Sequence, residues 1–344
     1  MAKPSGFPKT QPAKLLSEDD MIALWLAPLA GPAGLGLRDD AALITVPAGF
    51  QLVTTVDALV AGVHFFADDP PASIARKVLG VNLSDLAAKG STPFGFLLSM
   101  TLPKQWPQQD LRAFIEALGV MARAFECPLI GGDTTATSGP LTFSLTAFGL
   151  VPDGQMVKRT TAQTGDLIAV TGTIGDSALG LLLKSDPDAA WIKSMPAHAR
   201  SFLRDRYLHP QPRLAFAPSL RRYAHAAMDV SDGLIGDLAK LLRASSQTGT
   251  IDVETVPFSP AAEQALLQEP SLLQTALTGG DDYEILLTFP PNHQEALQQA
   301  AQSCGLALTV IGSVDRLRDA PSSPLKIMRQ GEAMSFTHGS YQHF

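Results

Sequence analysis

Apolar and polar positions along this chain alternate between helical and strand periods. From Ser73 to Lys89 the residues Ile74, Val78, Leu79, Leu83 and Leu86 recur at helical spacing, predicting a helix with Asp85 in its C-terminal portion. Ser17 ahead of Glu18, Asp19 and Asp20 reads as an N-cap with an acidic first turn, and Met21, Ile22, Leu24, Trp25 and Leu29 supply the apolar face of a first helix. Between these helices, AALITV (41–46) and QLVTTVD (51–57) are short β-branched runs separated by Pro-Ala-Gly. They predict two strands in a hairpin-like arrangement, with Asp57 at a strand end.

The same reading continues downstream. FGFLLSMTL (94–102) predicts a strand, residues 108–125 a helix, CPLIGGDTT (127–135) a buried strand running into a Gly-Gly turn, and PLTFSLTAFGLV (140–151) a further strand. This closes a first α/β unit near residue 150. The second half opens with the strand TGDLIAVTG (164–172) and the helix GDSALGLLLKS (175–185), followed by helices near 196–207 and 212–223. MDVSDGLIGDLAKLLRAS (228–245) predicts a strand end, a turn and a helix, and GGDDYEILLTF (279–289) a turn feeding a strand. The fold class expected is α/β (α+β) in two domains: a flexible N-terminal tail over 1–16, an N-terminal α/β domain over 17–153 and a C-terminal α/β domain over 154–344.

Composition narrows the function. A chain of 344 residues with 45% apolar and 17% charged residues has room for two cores and the balance of a globular protein. Its net charge of −7, without a basic run, lacks the electrostatic footprint of a nucleic-acid binder, so anionic substrates would need the help of cations. Cys127 and Cys304 lie far apart, which excludes a multi-cysteine zinc site and fits a reducing compartment better than a disulfide framework. The start carries no apolar stretch of signal length and no apolar run suits a membrane span, so a cytoplasmic location with no membrane partner is expected. There is no G-x-x-x-x-G-K-[ST] loop, no G-x-G-x-x-G and no G-x-S-x-G elbow.

The chemistry must therefore come from elsewhere. Asp40, Asp57, Asp85, Asp133, Asp229 and Asp232 each adjoin a predicted strand end or turn beside apolar segments. Partly buried carboxylates cannot all stay ionised near one another without cations, and oxygen donors without Cys or His point to Mg²⁺. Each Asp taken singly is equally an ordinary turn or cap residue. Gly131, Gly132 and Asp133, like Gly279, Gly280 and Asp281, offer backbone that a phosphate can approach closely, and equally make a tight turn. His64, beside aromatics, is either a phosphate contact or a packing residue. Arg159, near the expected domain junction, is either a phosphate clamp or a surface ion pair.

Read in order, RDDAAL, TTVDALVAGVHF, VNLSDLAAKGSTP, LIGGDTT, VTGTIGDSALG, DVSDGLIGDL and GGDDYEILL resemble the thiamine-monophosphate kinase family, within the aminoimidazole ribonucleotide synthetase-like superfamily, over about residues 18–344. The resemblance implies a homodimer whose N-terminal sheets pair across the subunits. It also implies direct transfer of the ATP γ-phosphoryl group to thiamine monophosphate, assisted by several Mg²⁺ ions and without a phosphoenzyme or a dedicated general base. By resemblance the metal ligands are Asp40, Thr55, Val56 through its carbonyl, Asp57, Asp85, Asp133, Asp229 and Asp232. Gly132, Asp133, Arg159 and Ser231 match nucleotide contacts, and His64, Asp281 and Tyr341 match contacts to thiamine monophosphate. Three positions depart from the family pattern: Asp281 where Glu is common, Val56 where Ser or Thr is frequent, and Arg38 in place of a turn glycine. The departures keep a non-catalytic nucleotide sensor open as a reading. Selenophosphate synthetase and hydrogenase-maturation proteins of the same superfamily are disfavoured by the lack of Cys near either end.

Overall fold

The computed structural model describes residues 16–316, 323–336 and 339–340. The expected tail over 1–16 falls almost wholly, and Tyr341 entirely, outside the described residues.

The first half builds a mixed sheet of β1 (Phe50–Val60), β2 (Thr92–Pro103), β3 (Leu129–Thr137) and β4 (Thr142–Pro152), in the order β1-β4-β2-β3. Side chains alternate faces along each strand. Leu59, Phe143, Leu145, Ala147, Phe96, Leu98 and Met100 therefore form one buried face. Two helices complete this unit, α2 (Pro71–Ala88) and α3 (Gln108–Ala124), after a short α1 (Glu18–Met21). Ser17 caps α1 by accepting the Asp20 N–H at 3.2 Å, as its position predicts. The helix then loosens into a π turn over Ile22–Leu26 and a 3₁₀ turn over Ala27–Leu29, where Pro28 cannot donate to the ladder.

The second half holds a seven-stranded sheet in the order β11-β10-β7-β9-β5-β8-β6. Its strands are β5 (Leu167–Thr171), β6 (Ala226–Asp229), β7 (Thr248–Asp252), β8 (Ile285–Phe289), β9 (Leu308–Asp315), β10 (Leu325–Arg329) and β11 (Glu332–Met334). Among its helices are α4 (Asp176–Ser185), α5 (Ala190–Ser194), α6 (Ala197–Leu208), α7 (Ala217–Tyr223) and α8 (Leu234–Ala244).

Helix α2 lies between the halves, packed against β1 and β4 on one side and against β6, β8 and α6 on the other. That explains why nearly all of it is buried instead of a single stripe, including the polar Lys77, Asn82 and Ser84. Three local expectations change. AALITV is not a strand and makes no hairpin with β1; it runs as irregular chain, and among the described residues β1 pairs along one edge only, with β4. Asp57 sits inside β1, not at its end. The Gly-Gly pair at 131–132 is not a turn: after a register shift at Ile130, β3 continues through it beside β2, so close that a Cβ on Gly132 would lie 2.0 Å from the Leu98 carbonyl oxygen.

Candidate active site

The buried side of β1, the C-terminal end of α2 and the turn after β6 bring carboxylates together. Thr55 and Asp57 share the inner face of β1, two residues apart, and Val56 between them faces outward, 60% exposed, leaving its carbonyl as its only oxygen donor. The Thr55 hydroxyl donates to Asp85, and the Asn82 Oδ1 accepts the Asp57 N–H at 3.2 Å. Ser84, one residue before Asp85, points to the other half and donates to Asp229 Oδ2 at 2.6 Å. Burial, with the Asp85 and Asp232 carboxylates beside it, pushes the Asp57 carboxyl up to about 6. Burial and the Asp85 charge likewise hold the Asp229 carboxyl well above the usual range, against the Ser84 hydrogen bond. Lys89 borders the group, its ammonium donating to the Ala227 carbonyl at 2.8 Å and feeling the charges of Asp229, Asp85 and Arg159.

The turn carrying Ser231 and Asp232 is held from within. Asp237, buried at the start of α8, accepts the N–H groups of Ser231 at 2.9 Å and Asp232 at 2.8 Å, and Lys240 bridges Asp237 and Asp232. Asp281 and Tyr283, both at positive φ, hook their N–H groups onto the carbonyls of Ser231 and Val230 at 2.8 and 2.9 Å. Gly280 makes that approach possible: at φ +78° a Cβ would sit 2.3 Å from the Ser231 oxygen. Gly280→Ala is therefore expected to cost about 2 kcal/mol or more, measured by denaturant unfolding, and wild-type stability would contradict this packing.

Of the three acids in the GGDDYE segment only Asp281 keeps a partly exposed side chain, and the buried Tyr283 beside it lies near Asp57 and Asp229. Asp282 is fully buried and accepts the N–H groups of Gly175 at 2.7 Å and Ser177 at 3.3 Å, serving as the cap that α4 lacks locally. Glu284, also fully buried, takes Arg206 at 2.8 Å, both ends of the Arg213 guanidinium and the Thr171 hydroxyl at 2.8 Å. These two acids hold the fold.

The remaining predicted residues are placed as follows. His64 lies just beyond β1, and its Nδ1 accepts the Val60 N–H at 3.0 Å, so the neutral ring carries its proton on Nε2. Arg159 is exposed on the approach to the carboxylate group, near enough to Lys89 to be felt by it. Asp40 and Asp133 do not join the others within one chain. Asp133 pairs with Ser99, Ser99 with Ser144 and Ser144 with Ala58, which puts Asp133 on the outer face of the sheet, opposite to Asp57. There Asp40, Gly132 and Asp133 line a cavity of about 760 Å³ with the apolar Ile22, Leu26 and Leu37. Among the described residues no three His, Cys, Asp or Glu side chains already enclose a metal ion.

Sequence reasoning missed Lys77, Ser84, Tyr283 and Lys240. Lys77 had a readable signal: a charged residue in the middle of an apolar helical run is either paired or functional. Ser84 depends on a contact with the distant Asp229, whereas Lys240 and Tyr283 act on neighbours in their own segments.

The chain matches the models of AIR synthase related protein, the N-terminal domain over residues 38–151 and the C-terminal domain over 163–319. The thiamine-monophosphate kinase of Caulobacter vibrioides is 40% identical to it over 316 residues, covering 90% of this chain and 86% of the relative. The chain belongs to the thiamine-monophosphate kinase family. A crystal structure of the Stenotrophomonas maltophilia K279a thiamine-monophosphate kinase superposes with a TM-score of 0.77 at 38% identity, over 87% of this chain and 91% of that one. AaThiL complexed with AMPPCP and TMP superposes with a TM-score of 0.74 at 27% identity, over 97% and 99% of the two chains. The first sheet falls almost wholly within the N-terminal match, and the second falls within the C-terminal match except for β10 and β11.

Proposed function

We propose that this protein transfers the γ-phosphoryl group of ATP to thiamine monophosphate, giving ADP and thiamine diphosphate. The observation that carries the reading is the oxygen-only group of Thr55, Asp57, Asp85, Asp229 and Asp232 at the junction of the halves, in a chain of this family. An oxygen of the acceptor phosphate attacks Pγ as the bond from Pγ to the β–γ bridging oxygen breaks, and ADP leaves with that electron pair. The attacking oxygen is already ionised at neutral pH, so no side chain need remove a proton. Binding and alignment are then the protein's main task.

The donor set fits Mg²⁺. Buried carboxylates that oppose each other's ionisation have a deficit of positive charge, and hard oxygen donors suit this ion, which commonly keeps waters and takes phosphate oxygens as further ligands. Thr55, Asp57, Asp85, Asp229 and Asp232, with the Val56 carbonyl, would hold such ions. When bound, they supply the positive charge that lets two phosphate groups come together. Arg159, Ser231, Gly132 and Asp133 are assigned to the nucleotide, and His64, through Nε2, Asp281 and Tyr341 to thiamine monophosphate.

The split of the carboxylates supports a homodimer. Asp40 and Asp133 face away from Asp57 within one chain, on a sheet face that leaves Val56, Phe50 and Leu52 exposed. A second copy laid on that face would cover these side chains and bring the Asp133 edge of one subunit toward the site of the other. We assign residues 17–153 to the ATP, metal and dimer domain and 154–344 to the C-terminal domain. No described helix is long and apolar enough to cross a membrane. We place the protein in the cytoplasm, which two unpaired cysteines favour.

Incubation of the purified protein with Mg²⁺, ATP and thiamine monophosphate is expected to yield ADP and thiamine diphosphate in equal amounts, read by chromatography. Unphosphorylated thiamine should give no product. Failure to form thiamine diphosphate over hours would remove the reading, and turnover of thiamine would change the nucleophile to an alcohol and demand a base.

A further inference from the structure

Lys77 is only 2% exposed and stands between Ile74 and Val78 in the apolar run of α2. Its ammonium lies 2.7 Å from Asp281 Oδ2 and 3.9 Å from the centre of the Tyr207 ring. The other Asp281 oxygen accepts the Tyr283 hydroxyl at 3.2 Å, while the Asp281 side chain stays 30% exposed. A buried ion pair of this kind is a weak source of stability, because desolvating the ammonium offsets most of the attraction. Its strength lies in fixing geometry.

Position along the helix gives that geometry a purpose. Lys77 and Ser84 are seven residues apart, two turns, so both lie on the face of α2 turned to the C-terminal half, about 10 Å from each other along the axis. Lys77 ties Asp281, and Ser84 ties Asp229. Two parallel tethers from one rigid helix thus hold the turn that carries Asp281 and the strand end that carries the Asp229 carboxylate.

We propose that Lys77 is a positioning residue for the acceptor substrate: through its ion pair with Asp281 it sets where that carboxylate meets thiamine monophosphate relative to the Asp229 group. The inference rests on the kinase reading above. An Asp side chain has one fewer methylene than Glu and little reach of its own, so its placement is decided by the Lys77 and Tyr283 contacts and by the backbone hooks at 281 and 283.

Steady-state kinetics with each substrate varied tests it. Lys77→Met is expected to raise KM for thiamine monophosphate about tenfold and leave KM for ATP within about twofold, as for loss of one positioned charge-assisted hydrogen bond. Asp281→Asn should do the same, and the double variant should be no worse than the worse single one, since both remove the same link. Lys77→Arg, which keeps the charge, should recover part of the loss. A folded Lys77→Met enzyme with an unmoved KM for thiamine monophosphate overturns the proposal, as do equal rises in both KM values or additive effects in the double variant. If Lys77→Met does not fold, Asp281→Asn and Tyr207→Leu carry the test, and an ordinary acceptor KM in both overturns it. Absence of turnover in the unaltered protein would overturn the kinase reading itself, a result distinct from normal turnover with unmoved KM.

Discussion

Asp57→Asn is expected to lower turnover by about a thousandfold or more while leaving a folded protein that, free of metal, melts at a higher temperature than the parent. The two effects share one origin. Asp57 is crowded by Asp85 and Asp232 and partly buried, which raises its carboxyl to about 6. The native state holds that proton more tightly than the unfolded chain, whose value is 3.8, so this group's contribution to stability falls as pH rises from about 4 to 6. An amide of the same shape carries no charge and removes the repulsion, but it cannot supply an anionic oxygen to a cation. Thermal melts from pH 4 to 8 should therefore show a flatter profile for the variant across that window. Near-normal turnover in saturating Mg²⁺ would take Asp57 out of the essential set, and a lower melting point would refute the repulsion.

The second large effect is on the fold. Glu284→Gln should destabilise the protein by about 3–5 kcal/mol, measured by denaturant unfolding, because it leaves buried cations without their counter-charge. Arg206 is 5% exposed, and its Nε has no hydrogen-bond partner among the described residues. What holds its guanidinium is Glu284 at 2.8 Å and a long contact of 3.4 Å to the Asp282 carbonyl. Arg213 loses the same partner. Glutamine fills the space but offers one neutral carbonyl where two charged oxygens stood. Gly172 leaves room for that carboxylate, since a Cβ there would sit 2.2 Å from Glu284 Oε1. A loss below about 1 kcal/mol would show that the two arginines find other partners on unfolding the network.

Periodicity made α2, α3 and α4 legible, because their apolar positions repeat over several turns. AALITV failed for the opposite reason. Its β-branched residues fit a strand, but a strand needs a partner edge, and pairing is decided by residues about a hundred positions away. The Gly-Gly pair at 131–132 misled in the same way: glycine signals close approach as well as turning, and here the approach is to Leu98 on the neighbouring strand. In the site, oxygen chemistry singled out the aspartates, and the ordered resemblance supplied a reason for them to meet. That Asp57, Asp85, Asp229 and Asp232 gather while Asp40 and Asp133 lie on the far face is a matter of strand register, which alternation along β1 hints at but only the pairing with β4 and β2 decides. Within GGDDYE, three acids in four residues looked alike in sequence. In the structure Asp281 reaches Lys77 and Tyr283, Asp282 caps α4, and Glu284 pairs with Arg206 and Arg213.

Helix α2, wedged between the two sheets, has an implication for how this family can vary. Because Asp85 answers to β1 while Ser84 and Lys77 answer to the C-terminal half, the spacing of these contacts is written in helical rise and not in loop length. Inserting one residue between Lys77 and Ser84 would swing every later side chain by about 100° about the axis and unhook one half or the other. Surface loops can lengthen freely in such a molecule, whereas this segment should tolerate exchange of residues but not a change in their number.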